Sequence, residues 1–234
     1  CFAVVGLLAR HSKARLQWAV VTGLLLGYWG LLLIGGSFEP WINLASRVDT
    51  ALLGPLLYQF DAATGLGHDP EGLLSTLPAI ATTLPGLRAG DWLRRGRTMR
   101  LVCAGLVALV LGLLWSQWFP LNKNLWTSSY VLWTAGWAML GLAVAHVLID
   151  RRQWQALGRS FGVNAIAAYV GSSVMVYVFA GLGWWEPIYR IGFANWMTPR
   201  FGPYLPSLTF ALSFVFFWWL VVRVMDKRGW YVKI

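Results

Sequence analysis

The sequence predicts an all-α fold, a polytopic transmembrane helix bundle of about six spans. Hydrophobic residues make up 58% of the 234-residue chain and charged residues only 12%, about half the charged share of a soluble globular domain. Long apolar runs alternate along the chain with short clusters of basic residues. Because so few charges cannot cover a water-exposed surface, the chain needs lipid as part of its solvent.

Six apolar runs are long enough to cross a hydrocarbon core of about 30 Å as helices. The predicted spans cover residues 16–34, 70–89, 101–118, 130–149, 161–182 and 204–225. Residues 1–9 are typical of the end of a helix, so we expect a truncated N-terminal helix and an upstream part that the chain lacks. Pro40 and Pro55 delimit a mixed stretch in which short amphipathic helices are expected at the membrane surface.

The second predicted span is the least regular of the six. Pro70 is a favoured first helical residue and Asp69 a favoured cap, so the helix is expected to begin there. Pro78 and Pro85 lie inside the run, which predicts a kinked helix.

The basic residues predict the orientation of the spans. Fifteen of the nineteen Lys and Arg residues fall on one side of the alternating spans, which the positive-inside rule assigns to the cytoplasm. They are Arg10, Lys13, Arg15, Arg88, Arg94, Arg95, Arg97, Arg100, Arg151, Arg152, Arg159, Arg223, Lys227, Arg228 and Lys233. The C-terminus is therefore expected in the cytoplasm, as in a bacterial inner-membrane protein.

The composition disfavours several other classes of protein. The net charge of +10 lies in clusters between apolar runs, so we expect no nucleic-acid partner. The two cysteines, Cys1 and Cys103, provide no disulfide framework. The spacing of Cys and His residues predicts no metal site, and no glycine-rich phosphate loop is present.

A first polar stretch, His68-Asp69-Pro70-Glu71-Gly72, lies on the predicted outer side. A helix cap explains it, because Asp69 can accept from free backbone N–H groups and Glu71 favours the positive end of a helix. Alternatively, one of the carboxylates or His68 takes up the proton that an attacking amine releases. Both interpretations stay open on the pattern alone.

A second polar stretch, residues 122–129, also lies on the predicted outer side. It brings together two amides, an ammonium, an indole and three hydroxyls, which suits a sugar or a thioester carbonyl. An ordinary membrane-surface turn, with Lys123 snorkelling and Trp126 in an aromatic belt, explains it equally well.

Asn164 is a third polar candidate, near the predicted cytoplasmic start of the fifth span. An Asn that faces lipid is costly, so we expect it to face the bundle. Hydrogen bonding between helices is the favoured account, with a ligand contact as the alternative.

Several of these segments together resemble a known family. Residues 69–86 (DPEGLLSTLPAIATTLPG), 122–136 (NKNLWTSSYVLWTAG) and 162–174 (GVNAIAAYVGSSV) are similar, in order and spacing, to heparan-α-glucosaminide N-acetyltransferase and its bacterial homologues. The resemblance implies one transmembrane acyltransferase-like domain over residues 1–234. It also implies acetyl transfer from cytoplasmic acetyl-CoA, without a metal, to an amino sugar or related glycan on the other side.

The resemblance carries over to matching positions only. It implies catalytic roles for Asp69, Glu71 and Lys123, with Lys123 and nearby amides stabilising the oxyanion of the tetrahedral intermediate. The substrate-binding residues it implies are Asn122, Asn124, Trp126, Ser129 and Asn164. Arg94, Arg95 and Arg97 can hold the phosphates of CoA, although positive-inside topology alone explains them.

The chain departs from the family at two places. The upstream region that carries the central histidine of the family does not occur in it, and His68 does not stand in that context. Ser172 and Ser173 replace a polar His-Glu pair of the mammalian member, which puts the acceptor sugar in doubt. An inactive fragment and a multispan transporter stay open as alternatives. Residues 16–34, 101–118, 130–149 and 204–222 contain no Asp, Glu, Lys or Arg, which disfavours ion-coupled transport. The expected partners are membrane lipid, acetyl-CoA and the glycan, and the sequence leaves a homodimer open.

Overall fold

The computed structural model of the chain describes residues 1–156 and 158–232. The predicted helical fold is confirmed, since 73% of the structure is helical. The described residues form two compact units, Cys1–Trp154 and Gln155–Ile234. The expectation of one acyltransferase-like domain over residues 1–234 stays a prediction.

Six α-helices make up most of the first unit. They are α1 (Phe2–His11), α2 (Ala14–Ile34), α3 (Leu44–Leu53), α4 (Thr76–Arg94), α5 (Thr98–Trp115) and α6 (Ser128–Ala145), and a π-helical stretch (His146–Arg151) continues α6. Buried residues of α2 repeat every three or four positions, so that one stripe of this apolar helix faces the core. Val21 and Leu25 from this stripe pack with Leu84 of α4 and Val131 of α6.

Close backbone approach joins α5 and α6. A Cβ atom added at Gly112 would lie 2.8 Å from the backbone nitrogen of Trp133. One added at Gly136 would lie 2.8 Å from the carbonyl oxygen of Gly105. Small residues at such contacts are the usual means by which helices pack tightly in a membrane.

The helix expected in the mixed stretch between Pro40 and Pro55 is confirmed by α3. The side chain of Asn43 caps it, accepting a hydrogen bond from the backbone nitrogen of Ser46 at 2.8 Å. A 3₁₀ turn (Gly54–Leu56) follows, and then an antiparallel hairpin of β1 (Gln59–Asp61) and β2 (Leu66–His68), which the sequence analysis did not predict. The position of α3 at the membrane surface stays a prediction.

The second unit contains α7 (Arg159–Val163), α8 (Ala165–Gly181), α9 (Trp185–Tyr189), a π-helical turn (Arg190–Ala194), α10 (Asn195–Phe201) and α11 (Tyr204–Lys227). The rings of Trp185 and Phe210, 5.2 Å apart between centroids, pack α9 against α11. Among the basic residues counted above, Lys233 lies outside the described residues.

The expected number of six spans is too high. In the part of the chain that the structure describes, four helices are long and apolar enough to cross a membrane: α2, α5, α6 with its π-helical continuation, and α11. The segments Ala165–Gly181 and Trp185–Phe201, bent by 101° at their break, make a fifth if they count as one span. The predicted fifth span is thus interrupted at both ends.

The predicted second span corresponds to α4, which is not among the helices that are long and apolar enough to cross a membrane. It has nineteen residues, about 28 Å of helix at 1.5 Å per residue, but Arg88, Asp91 and Arg94 lower its apolar character. Its neighbours α2 and α6 cover it, so its surface is adapted to helices more than to lipid.

The predicted start of α4 at Pro70 is also wrong. Residues 69–75 form turns, and the helix begins at Thr76. The physical reason is a distant side chain, because the carboxylate of Asp49 accepts a hydrogen bond from the backbone nitrogen of Leu73. Asp69 therefore caps no helix.

Candidate active site

Asp49 of α3 anchors the turn that carries the DPEG residues, 69–72. Its Oδ1 accepts a hydrogen bond from the Leu73 backbone nitrogen at 2.9 Å. Its Oδ2 lies over Gly72, where an added Cβ would approach it to 1.8 Å. The absence of a side chain at Gly72 thus lets the buried carboxyl group of Asp49 pack directly against the turn.

Burial raises the pKa of the Asp49 carboxyl group, which is 1% exposed. The backbone N–H groups of Leu73 and Leu74 oppose this shift, the charge of Asp69 adds to it, and the charge of His68 opposes it. Desolvation is the largest of these effects, because burial disfavours the charged form of the carboxyl group.

His68 directly precedes the same turn in the chain and is also buried. Its Nδ1 is 3.0 Å from the hydroxyl of Ser46, and its ring packs 6.1 Å from the Trp41 ring between centroids. Among the described residues, neither the Nε2 atom of His68 nor the Oδ2 atom of Asp49 has a hydrogen-bond partner. Two buried titratable groups therefore keep one free polar atom each.

Asp69 and Glu71 lie on the turn itself. The Oδ1 atom of Asp69 accepts a hydrogen bond from the backbone nitrogen of Glu71 at 2.9 Å, which shapes the turn. The side chain of Glu71 is exposed. Both carboxylates therefore lie within the anchored segment, and Glu71 is the more exposed of the two.

The NKNLW turn, residues 122–126, uses much of its polarity for its own structure. The Oδ1 atom of Asn122 accepts from the backbone nitrogens of Asn124 and Leu125 at 2.9 and 3.1 Å. Ser129 is fully buried, and its hydroxyl donates to the carbonyl oxygen of Phe119 at 2.5 Å. Asn122 and Ser129 therefore shape the turn, and Lys123 and Asn124 are exposed beside them.

Two long-range hydrogen bonds attach this turn to α2. The hydroxyl of Tyr28 donates to the carbonyl oxygen of Leu125 at 2.6 Å. The hydroxyl of Ser128 donates to the carbonyl oxygen of Leu25 at 2.7 Å. The position of the exposed Lys123 and Asn124 is thus determined by buried neighbours.

Trp126 connects the NKNLW turn with α4 and lines a cavity. Its indole N–H donates to the hydroxyl of Thr82 at 2.9 Å. A cavity of ≈ 370 Å³ lies below this contact, between α4 and α6. Its lining includes Thr82, Gly86, Trp126, Tyr130, Thr134 and Ala138. Small residues on both helices leave the space, and hydroxyl and indole side chains also line it.

The structure thus brings the two polar segments to neighbouring helices, with the DPEG turn before α4 and the NKNLW turn before α6. Within the described residues, no ion pair joins Asp69 or Glu71 to Lys123. Asn164 lies in the second unit, at the break between α7 and α8, fully buried and with both amide atoms unpartnered among the described residues.

Asp49, Ser46 and Thr82 were not singled out by the sequence analysis. One signal was present for Asp49, because Ala45 and Asp49 are four positions apart on a short amphipathic helix and both belong to its buried face. A carboxylate on the buried face of a helix is a candidate for a specific role. Thr82 gave no such signal, since its partner is 44 positions away.

The described residues contain no group of three or more His, Cys, Asp or Glu side chains placed to hold a metal ion. Arg94, one of the arginines considered for CoA phosphates, pairs with Asp91 at 2.6 Å. Arg95 and Arg97 are exposed.

Comparisons with known proteins identify two similar transferases. No family model matches the chain, and no solved structure matches it. Heparan-alpha-glucosaminide N-acetyltransferase of Mus musculus is 32% identical over 155 residues, which cover 58% of this chain and 24% of the mouse protein. The Homo sapiens protein of the same name is 32% identical over 168 residues, which cover 62% of this chain and 25% of the human protein.

The chain spans about a quarter of the length of the curated relatives it matches. Apolar helices of spanning length and these relatives together indicate an integral membrane protein. The resemblance that the DPEG and NKNLW segments predict is therefore confirmed: over about three fifths of its length, the chain is similar to heparan-alpha-glucosaminide N-acetyltransferase.

Proposed function

We propose that the chain contributes to a membrane-embedded N-acetyltransferase that moves an acetyl group from acetyl-CoA to the amino group of an amino sugar or related glycan. The observation that carries the proposal is the 32% identity, over about three fifths of the chain, to two proteins of that name. The anchored polar turns at the starts of α4 and α6 support it.

The acetyl-transfer reaction has three steps that the protein can assist. The acceptor amine attacks the thioester carbonyl and loses a proton, the carbonyl oxygen becomes an oxyanion, and the CoA thiolate leaves and takes up a proton. Asp69 or Glu71 accepts the proton of the amine, and the exposed ammonium of Lys123 stabilises the oxyanion. Glu71 and Lys123 are exposed charged residues of their turns, which supports this division.

Binding of the sugar involves Asn124 and Trp126. The amide of Asn124 is exposed, and the Trp126 ring, held by the bond to Thr82, offers a face on which a sugar can stack. Asn122 and Ser129 act as positioning residues that shape the NKNLW turn, and Asn164 contributes a polar wall in its own unit.

Asp49 and His68 serve the same site as positioning residues. Asp49 holds the backbone of the DPEG turn, so the two acidic side chains above it depend on its position. Because a misplacement of about 1 Å can cost a catalytic site 100-fold in rate, loss of this anchor affects turnover without any contact to substrate.

The donor and acceptor sides follow from the charge distribution. The basic loops lie in the cytoplasm, where acetyl-CoA is made, and exposed Arg95 and Arg97 attract its phosphates. The polar turns face the opposite side of a bacterial inner membrane, where the glycan arrives. A homodimer is compatible with this arrangement.

The test is an assay of acetyl transfer in membranes that contain the complete product of the gene encoding this chain. Labelled acetyl-CoA and glucosamine are supplied, and labelled N-acetylglucosamine is measured. We expect transfer above that of control membranes, and a loss of at least about 10-fold in the Lys123→Ala protein, equivalent to 1.4 kcal/mol of transition-state stabilisation. Lys13→Ala, an exposed lysine on the predicted cytoplasmic side, is the matched control.

Two outcomes separate the function from the site. Absence of any transfer by the folded wild-type protein contradicts the function. Full transfer by folded Lys123→Ala and Asp69→Ala proteins removes the site assignment and leaves the function standing. The same assay on the isolated 234-residue chain tests the expectation that an essential upstream region is required.

A further inference from the structure

One end of α11 combines an exposed apolar surface with a cluster of cationic and aromatic side chains. Large apolar side chains along the helix are exposed, among them Leu212, Val215, Phe216 and Leu220. In a membrane such a surface is covered by acyl chains. The basic residues Arg223 and Lys227 follow within the next two turns.

A cleft of ≈ 560 Å³ lies at this end of the helix, within the second unit. Arg159 and Ser160 of α7 and Trp219, Arg223 and Asp226 of α11 line it. We call it the α7–α11 cleft. Its lining thus continues the exposed surface of α11 into a polar space.

The carboxylate in the cleft is already neutralised. Asp226 accepts hydrogen bonds from Arg159 at 2.6 Å, from Ser160 at 3.1 Å and from Tyr231 at 3.0 Å. The ion pair with Asp226 also occupies the guanidinium of Arg159. The affinity of the cleft for an anion is therefore determined by the other guanidinium that lines it.

Arg223 is that guanidinium. It lies 4.8 Å above the centroid of the Trp219 ring, and within the described residues it has no carboxylate partner and makes no hydrogen bond. A cation–π contact uses the face of the guanidinium and leaves its N–H groups available. Those N–H groups match the oxygens of a phosphate in geometry and charge.

We propose that the α7–α11 cleft binds the phosphate of an anionic phospholipid, whose acyl chains lie along α11. A lipid is favoured over a soluble phosphate because the exposed apolar side chains of the same helix lead directly to Trp219 and Arg223. The proposal does not depend on the proposed reaction.

The test measures lipid binding by the delipidated protein in a neutral detergent, by native mass spectrometry and by thermal shift. The probes are phosphatidylglycerol, phosphatidylcholine, coenzyme A and inorganic phosphate. We expect phosphatidylglycerol to bind and to stabilise the wild-type protein more than phosphatidylcholine does. Arg223→Gln is expected to weaken phosphatidylglycerol binding at least about 10-fold, and Arg100→Gln, an exposed arginine outside the cleft, less than about twofold.

A second variant guards against misfolding of Arg223→Gln. Trp219→Leu keeps the charge and an apolar side chain but removes the ring under the guanidinium, so binding is expected to weaken severalfold. Equal binding of the two phospholipids by the wild-type protein, or wild-type affinity in both cleft variants, overturns the proposal. A third outcome is that coenzyme A or inorganic phosphate displaces phosphatidylglycerol from the wild-type protein, and that the Arg223→Gln protein no longer binds the displacing compound. This outcome would contradict a lipid as the occupant and would assign the cleft to a soluble phosphate ligand.

Discussion

Asp49 and His68, which lie next to the DPEG turn, each contain a buried polar atom without a hydrogen-bond partner among the described residues. Leaving such an atom unpaired costs about 1–3 kcal/mol. Burial raises the pKa of Asp49, because the charged carboxylate is costlier to bury than the neutral acid. Asn164 has two such atoms and no titratable group to relieve them.

The pH dependence of stability follows from the sign of the Asp49 shift. A carboxyl group whose pKa is raised in the folded protein contributes stability below its unfolded pKa of about 3.9, and this contribution is lost as the pH rises through the folded pKa. Asp49→Asn keeps an oxygen for the Leu73 N–H and cannot ionise. We expect its melting temperature, relative to wild type, to increase as the pH rises above about 4 and to level off above the folded pKa of Asp49.

Asp61→Asn provides a control of opposite sign. Hydrogen bonds from the Ala63 backbone and the Thr64 side chain lower the pKa of Asp61, so its contribution is present above the unfolded pKa and is lost as the pH falls. Asp61→Asn is expected to be least favourable, relative to wild type, near neutral pH. A flat Asp49→Asn difference across the range would contradict the assignment of a buried acid.

The hydrogen bond between Trp126 and Thr82 tests how firmly the NKNLW turn is attached to α4. Thr82→Val removes the acceptor and leaves the indole N–H unpaired, so we expect a loss of about 1–3 kcal/mol in the free energy of unfolding. Thr83→Val is the matched control, because the exposed hydroxyl of Thr83 bonds only to the carbonyl oxygen of Ala79 in its own helix. Denaturation in mixed micelles measures both, and equal effects of the two substitutions would refute the special role of Thr82.

At the scale of elements, α4 differs in kind from the helices around it. Its length suits a membrane crossing, yet three charged residues lie in its last two turns. Arg88 there bonds to Gln17 of α2 and to Asp91 of its own helix. A helix surrounded by other helices tolerates such groups because they find partners, whereas lipid offers none.

The α5–α6 contact depends on glycine. Gly136→Ala would place a Cβ 2.8 Å from a backbone oxygen that cannot move aside like a flexible side chain. We expect a loss of about 1–3 kcal/mol in stability, measured as a lower melting temperature in detergent. In Gly141→Ala, on the same helix, the added Cβ meets nothing within 4 Å, so stability is expected to stay the same or increase. A Gly136→Ala protein as stable as Gly141→Ala would contradict the close approach.

At the scale of the whole molecule, the sidedness of the loops is the main open prediction. Single cysteines are introduced at Glu71, Lys123, Arg97 and Arg228 in a protein whose Cys1 and Cys103 are replaced by serine. A membrane-impermeant maleimide applied to intact cells is expected to label positions 71 and 123, and to label positions 97 and 228 only after permeabilisation. Labelling of position 97 in intact cells would mean that α4 does not cross the membrane.

Much of the fold could be predicted from the sequence, and less of the site. The helices α2, α5, α6 and α11 were predicted within a few residues, because an apolar run of spanning length is a local property of the chain. The hairpin and the late start of α4 were missed, since both depend on contacts with α3. Among the proposed site residues, Glu71 and Lys123 were singled out from the sequence and are exposed in the structure, and their roles stay predictions. The structural use of Asn122 and Ser129 was visible only in their hydrogen bonds.

The sequence by itself determined that the chain is a helical membrane protein whose basic residues cluster between apolar runs, and its DPEG and NKNLW segments pointed to the transferases that it resembles. Tertiary structure decided which polar residues face outward and which hold the turns in place. Asp49 and Leu73 are 24 positions apart, and Trp126 and Thr82 are 44 positions apart. Composition and periodicity report only neighbours along the chain, so the partners of buried polar groups appear only when the helices are packed together.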